Sequence, residues 1–128
     1  MTLVRLPLVY IAGPITIPDP IRNTREAIGI AEHLYTSNIC VPLIPHTALL
    51  WHLVFPHDNA YWYEYDLHLL IKCDAVLRLD GESHGADAEL EVAADIGIPC
   101  FEWGNNRDPQ LRYKFIDWCD QHRQGAPA

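Results

Sequence analysis

Apolar residues along the chain fall into two kinds of run. Leu6–Ala12 (LPLVYIA), Ile39–Ile44 (ICVPLI), Asp74–Leu79 (DAVLRL) and Pro99–Trp103 (PCFEW) are short and mostly apolar, and turn formers lie near their ends. Each predicts a buried strand, and Pro42 predicts an edge position for the second. Between them, apolar residues recur at helical spacing. Ala27, Ile30, Ala31 and Leu34 predict a helix to about Ser37, opened by Asn23-Thr24-Arg25-Glu26 as a capping box. Pro45–Asn59 reads as a long loop with a helical piece around Thr47–Leu53. Ala60–Lys72 predicts a helix with Tyr63, Leu67, Leu70 and Ile71 in one stripe. Ala86–Ile96 predicts the next, stopped by Gly97-Ile98-Pro99. Asp108-Pro109 caps a last helix in which Leu111, Phe115, Trp118 and Cys119 repeat. Gln124–Ala128 is expected to fray.

Strands alternating with helices predict an α/β fold, a mostly parallel sheet of four or five strands with helices on both faces. The Gly-rich dinucleotide fingerprint is absent after the first strand, which counts against an ordinary dinucleotide fold. Ligands of open α/β sheets bind beyond the strand carboxyl ends, where strand order reverses. A 2-1-3-4 order puts that point between the first and third strands. The loops meeting there are Gly13–Pro20 and Asp80–Gly85, and Glu89 is expected beside Tyr10 and Gly13.

Glu89 stands out on its helix. At 100° per residue, Gly85, Ala86, Val92, Ala93 and Ile96 fall within about 60° of it. Asp87 and Glu91 fall opposite, on a solvated face. A carboxylate centred on a packing face is costly unless paired or used. Two readings stay open on the residues alone: a charge at the core rim, satisfied by a backbone N–H or a basic partner, and a carboxylate kept for chemistry. Burial raises its pKa while the nearby helix N-terminus lowers it, and the sequence does not decide between them.

Composition narrows the function classes. The 128 residues are expected to form one domain, 1–128, with 49% apolar and 20% charged residues, as in a soluble globular protein. A net charge of −8 without a Lys/Arg cluster argues against a nucleic-acid polymer as partner, but not against a single nucleotide. No apolar run reaches membrane length, and Met1–Arg5 lacks a signal-peptide pattern. Cys40, Cys73, Cys100 and Cys119 are widely spaced, and Cys40 and Cys100 fall in predicted strands. Buried free thiols and a cytoplasmic location are therefore expected.

Tyr10-Ile11-Ala12-Gly13-Pro14, then Asp66, then Ser83-x-Gly85-x-x-x-Glu89 resembles the nucleoside 2-deoxyribosyltransferase family. It is closer still to small phage- and bacterial-type relatives and to the nucleoside 5′-monophosphate N-glycosidases that share the fold. The likeness spans roughly Tyr10 to Phe101 and rests on order and spacing together. It implies a flavodoxin-like fold, a homo-oligomer, a small-molecule nucleoside or nucleotide substrate, no cofactor and no metal. It implies cleavage of an N-glycosidic bond with retention, the sugar passing to another nucleobase or to water. Glu89 takes the nucleophile's position and Asp66 that of the residue handling the proton on the base. Tyr10 orients the nucleophile. Gly13, Pro14 and Ile15 belong to the substrate loop, and Ser83 and Gly85 hold the 5′ end of the sugar. The chemistry suits these groups, since an oxocarbenium-like state needs a carboxylate and the departing base needs a proton.

Two departures bear on the substrate. Ser83 stands where the nucleoside transferases carry Asp, which suits a phosphate. Thr16 stands where the monophosphate hydrolases carry Arg; Arg22 or Arg25 is the candidate replacement, with a surface ion pair as the alternative. A non-catalytic nucleotide-sensing module on the same fold is the competing reading. His46, His52 and His57 fit no standard zinc spacing. His84 sits next to the expected pocket, or simply on an exposed loop. Tyr61, Trp62, Tyr63 and Tyr65 read as core or subunit packing, with Trp62 or Tyr65 as a candidate stacking surface for a base. The aromatics of this segment, with Phe115, Trp118 and Cys119, predict an interface between copies.

Overall fold

The computed structural model describes residues 4–105 and 107–125. A short strand, β1 (Val4–Arg5), leads into β2 (Leu8–Ala12), whose last four residues are buried. α1 (Pro20–Thr36) follows, then β3 (Val41–Leu43), a 3-10 turn (Pro45–Ala48) and α2 (Leu49–Val54). α3 (Asn59–Leu70), β4 (Ala75–Arg78), α4 (His84–Asp95), β5 (Cys100–Glu102), α5 (Pro109–Gln121) and β6 (Gln124–Gly125) complete the order. The main sheet runs β3-β2-β4-β5 and is parallel throughout, the 2-1-3-4 arrangement considered from sequence. Pro42 lies on the edge strand, as expected.

Period-2 alternation in the strands separates two cores. Val9, Ile11, Ala75 and Leu77 pack with Ala27 and Leu34 of α1 and with Phe115 and Cys119 of α5. Tyr10, Ala12 and Val76 face Leu70 of α3 and Ala86 and Ala93 of α4. The chain leaves β2 for β3 on one side and β4 on the other, so a crevice opens at the carboxyl ends of β2 and β4.

The structure corrects several sequence expectations. α1 begins at Pro20, with Asp19 as its cap, accepting from Ile21 N at 3.0 Å. Proline at the first helical position needs no N–H partner, so Asp-Pro outcompetes the later Asn23 box. Asn23 instead donates Nδ2 to the carbonyls of Ile15 (3.2 Å) and Ile17 (3.0 Å), tying down the loop after β2. Ile71 and Ile96 are exposed, since both follow the last residue of their helix. Cys40 is buried but precedes β3. Gln124 and Gly125 pair antiparallel with Arg5 and Val4 rather than fraying; 126–128 lie outside the described residues. Phe115 and Cys119 are wholly buried against their own sheet, so α5 does not offer them as an interface.

Candidate active site

The turn between β4 and α4 sets the site. Ser83 caps α4, its Oγ accepting from Ala86 N at 3.1 Å. His84 and Gly85 thus lie in the first helical turn, and Glu89 in the second, facing the sheet. Gly81 has φ 114°, and a Cβ there would stand 2.7 Å from Pro14 Cγ. Only glycine gives both the left-handed turn and this close approach. The β4–α4 turn and the loop after β2 are therefore pressed together. A Cβ on Gly85 would meet nothing within 4 Å, so that glycine faces open space.

Three polar side chains meet beneath the crevice. Glu89 is 5% exposed and Asp66 7%, while Tyr10 is fully buried. The Tyr10 hydroxyl donates a hydrogen bond to Glu89 Oε2. Burial, then the charges of Glu89 and Asp66, push the Tyr10 phenol far up, so it keeps its proton and is a fixed donor. Burial lifts Glu89 to about 7, against the pull of the Tyr10 hydrogen bond and the Arg78 charge. Burial and then the Glu89 charge lift Asp66 to about 7. Burial is thus the largest influence on both carboxyls and sets the direction of their shifts. Among the described residues, Asp66 Oδ1 has no hydrogen-bond partner.

The crevice is a cleft of about 1690 Å³. Its lining includes Gly13, Pro14, Ile15, Asp66, Ser83, Gly85 and Glu89, all singled out from sequence. Tyr10 is not in the wall; it supports Glu89 from β2. Thr16, Arg22 and His84 also line the cleft, whereas Arg25 does not. Arg22 pairs with Glu26 at 3.5 Å with both side chains largely exposed. Such a pair is worth about 0–1 kcal/mol and leaves the guanidinium free to turn inward.

Other residues acquire roles that the sequence reading did not give them. His46, 1% exposed, lines the cleft with Nε2 3.0 Å from the Pro14 carbonyl. His52 Nδ1 accepts from Trp62 Nε1 at 2.8 Å and from His57 N at 3.2 Å. His52 and Trp62 form part of the cleft wall; Tyr65 packs edge-on against Trp51 and Trp62. Among the described residues, no three His, Cys, Asp or Glu side chains converge as metal ligands. In the sequence Arg78 reads only as part of a mostly apolar strand. Its signal was the period of 2, which puts it on the same side of β4 as Val76, and Val76 is opposite Tyr10.

No protein-family model and no curated protein sequence matches this chain. Solved structures do match. One is the 2-deoxyribosyltransferase of the psychrotolerant bacterium Bacillus psychrosaccharolyticus, a biocatalyst for the synthesis of antiviral and antitumoral nucleosides. It aligns with a TM-score of 0.53 and 15% identity, over 74% of this chain and 70% of that one. The likeness is one of fold. This chain has the flavodoxin-like α/β architecture of that enzyme.

Proposed function

We propose that this chain cleaves the N-glycosidic bond of a nucleoside or 2′-deoxynucleoside, or of its 5′-monophosphate, with retention, and passes the sugar to another nucleobase or to water. The observation that carries the reading is the Tyr10–Glu89 pair, buried beside the cleft into which Asp66 also opens. The similar fold of a 2-deoxyribosyltransferase supports it.

With both carboxyls near 7, the pair holds about one proton at neutral pH. Tyr10 and Arg78 favour ionised Glu89, while the Glu89 charge favours protonated Asp66. In the first step a Glu89 oxygen attacks the anomeric carbon. The C–N bond breaks, its electrons go to the base nitrogen, and Asp66 supplies the proton. The product is a glycosyl ester on Glu89 and a free base. In the second, a nucleobase nitrogen or water attacks the same carbon, Asp66 takes the incoming proton, and the ester carboxylate leaves. Two inversions give net retention. In this reading Gly13, Pro14 and Ile15 flank the sugar, Ser83 and Gly85 receive its 5′ end, and Trp62 offers a face to the base.

The four free cysteines suit a reducing cytoplasm, and no described helix is long and apolar enough to cross a membrane. The chain is proposed to form a homo-oligomer through α2 rather than α5. Leu50, Leu53, Val54 and Phe55 are exposed there next to exposed Tyr61. A panel of deoxynucleosides and their 5′-monophosphates, with and without an acceptor base, tests the activity by release of free base. Release by wild type but not by Glu89→Ala is expected. Nucleotide binding without turnover in both proteins would instead favour the sensing module.

A further inference from the structure

We infer that Arg78 is the positioning residue of this site: its guanidinium fork fixes the β4–α4 turn that carries Ser83, and its charge acts on Glu89 on the same side of the sheet. The inference rests on the proposed role of Glu89.

Arg78 ends a strand whose other three residues are wholly buried. Its side chain is 10% exposed. A guanidinium so placed is costly unless its donors are met. They are met by three residues, two in the β4–α4 turn and one in α4. Nη1 donates to the Leu79 carbonyl, and Nη2 to the Gly81 carbonyl at 2.8 Å. Nη2 and Nε both reach Asp87 Oδ1, at 3.1 and 3.4 Å. One planar fork therefore spans the end of β4, the turn, and the first turns of α4. A lysine ammonium has the charge but not this geometry. Because Gly81 is seated on Pro14, fixing the turn also fixes it against the loop after β2.

The electrostatic half follows from the same placement. Two residues after Val76, Arg78 leaves β4 on the face where Val76 lies opposite Tyr10, and Tyr10 donates to Glu89. The groups facing Glu89 are Tyr10 from β2, Tyr63 and Asp66 from α3, and Arg78 from β4. Among these Arg78 is the cation. Asp87, largely exposed, offsets part of its charge through solvent-screened contact.

Three variants separate the two roles: Arg78→Lys, Arg78→Gln and Asp87→Asn. Two measurements are independent of turnover: the Glu89 carboxyl titration by carbon NMR, assigned with Glu89→Gln, and amide exchange across 79–87. Arg78→Gln is expected to raise the Glu89 midpoint by about half a pH unit or more. Arg78→Lys is expected to keep the midpoint while exchange in the turn rises about tenfold. Asp87→Asn is expected to loosen the turn less and not to raise the midpoint. If the protein turns over nucleosides, Arg78→Lys raises KM more than it lowers kcat and leaves the acid limb of the pH profile in place. An unchanged midpoint in Arg78→Gln, or unchanged exchange in Arg78→Lys, would overturn the inference. If Arg78→Gln does not fold, Arg78→Lys and Asp87→Asn still decide the clamp. Absence of turnover in wild type would sink the proposed function while leaving the NMR and exchange readouts to judge Arg78.

Discussion

Along β2, successive residues enter two different environments. Val9 and Ile11 pack into a core of aliphatic, aromatic and thiol groups contributed by α1 and α5. Tyr10 points the other way, where α3 and α4 bring two carboxylates to within a few residues of Leu70, Ala86 and Ala93. The buried residues of the first face carry no ionisable carboxyl. The second holds two carboxyls at about 7, a state that disfavours the folded protein once they ionise. The comparison shows where this fold departs from plain packing, and under the proposed function the reactive carboxyls lie on the face that gives up stability to bury them.

The largest expected effect comes from removing the carboxylate that makes the faces differ. Glu89→Ala is expected to lower turnover by about 10⁴-fold or more, leaving only background binding effects. Substrate binding is expected to be retained. On the other face, Phe115→Ala is expected to cost about 3–5 kcal/mol of stability, through a cavity among Phe101, Trp103 and Leu77. Its activity per folded molecule stays within about twofold. Denaturant melts read alongside turnover check both. Loss of activity in folded Phe115→Ala would break the division between the faces.

A smaller effect sharpens the same contrast through pH. Both carboxyls have folded pKa values above their unfolded ones, so the folded state binds more protons between about 4 and 7. Their contribution to stability is thus greatest below the unfolded values and is lost as pH rises through about 7. Glu89→Gln or Asp66→Asn is therefore expected to be more stable than wild type at pH 8 by about 1–3 kcal/mol, with little gain at pH 4. Unfolding curves at the two pH values measure this. Turnover by wild type is expected to follow a narrow bell centred near 7, requiring ionised Glu89 and protonated Asp66. An effect of similar size is expected at Tyr10. Tyr10→Phe removes a donor to the ionised carboxylate, so the acid limb moves up and turnover falls about tenfold to a hundredfold. An acid limb that moves down would contradict the role given to Tyr10.

Much of this was legible from period and punctuation. The four apolar runs, the helical spacing and Gly97-Ile98-Pro99 lead to the parallel sheet and to Glu89 on a packing face. Strand order alone put Glu89 beside Tyr10, whereas Asp66 needed the family resemblance, because nothing local marks it as a neighbour of Glu89. What escaped had competing local signals. Asn23 looks like a cap, yet Asp19-Pro20 starts the helix first and frees Asn23 to hold the Ile15 and Ile17 carbonyls. Phe115 and Cys119 looked like spare apolar surface, because a helical stripe does not say whether its own sheet or another copy covers it. Arg78 and His46 act through backbone carbonyls, and which carbonyls lie within reach is set by tertiary packing alone.

The most direct test of the central claim is to trap the glycosyl ester. A nucleoside with a 2′-fluoro substituent and a good leaving group destabilises the oxocarbenium-like states and lets the intermediate accumulate. Intact-protein mass spectrometry is expected to show one added sugar, mapped to the peptide holding Glu89 and absent in Glu89→Ala. A label on Asp66 or Glu91 instead, or an inverted product, would contradict it.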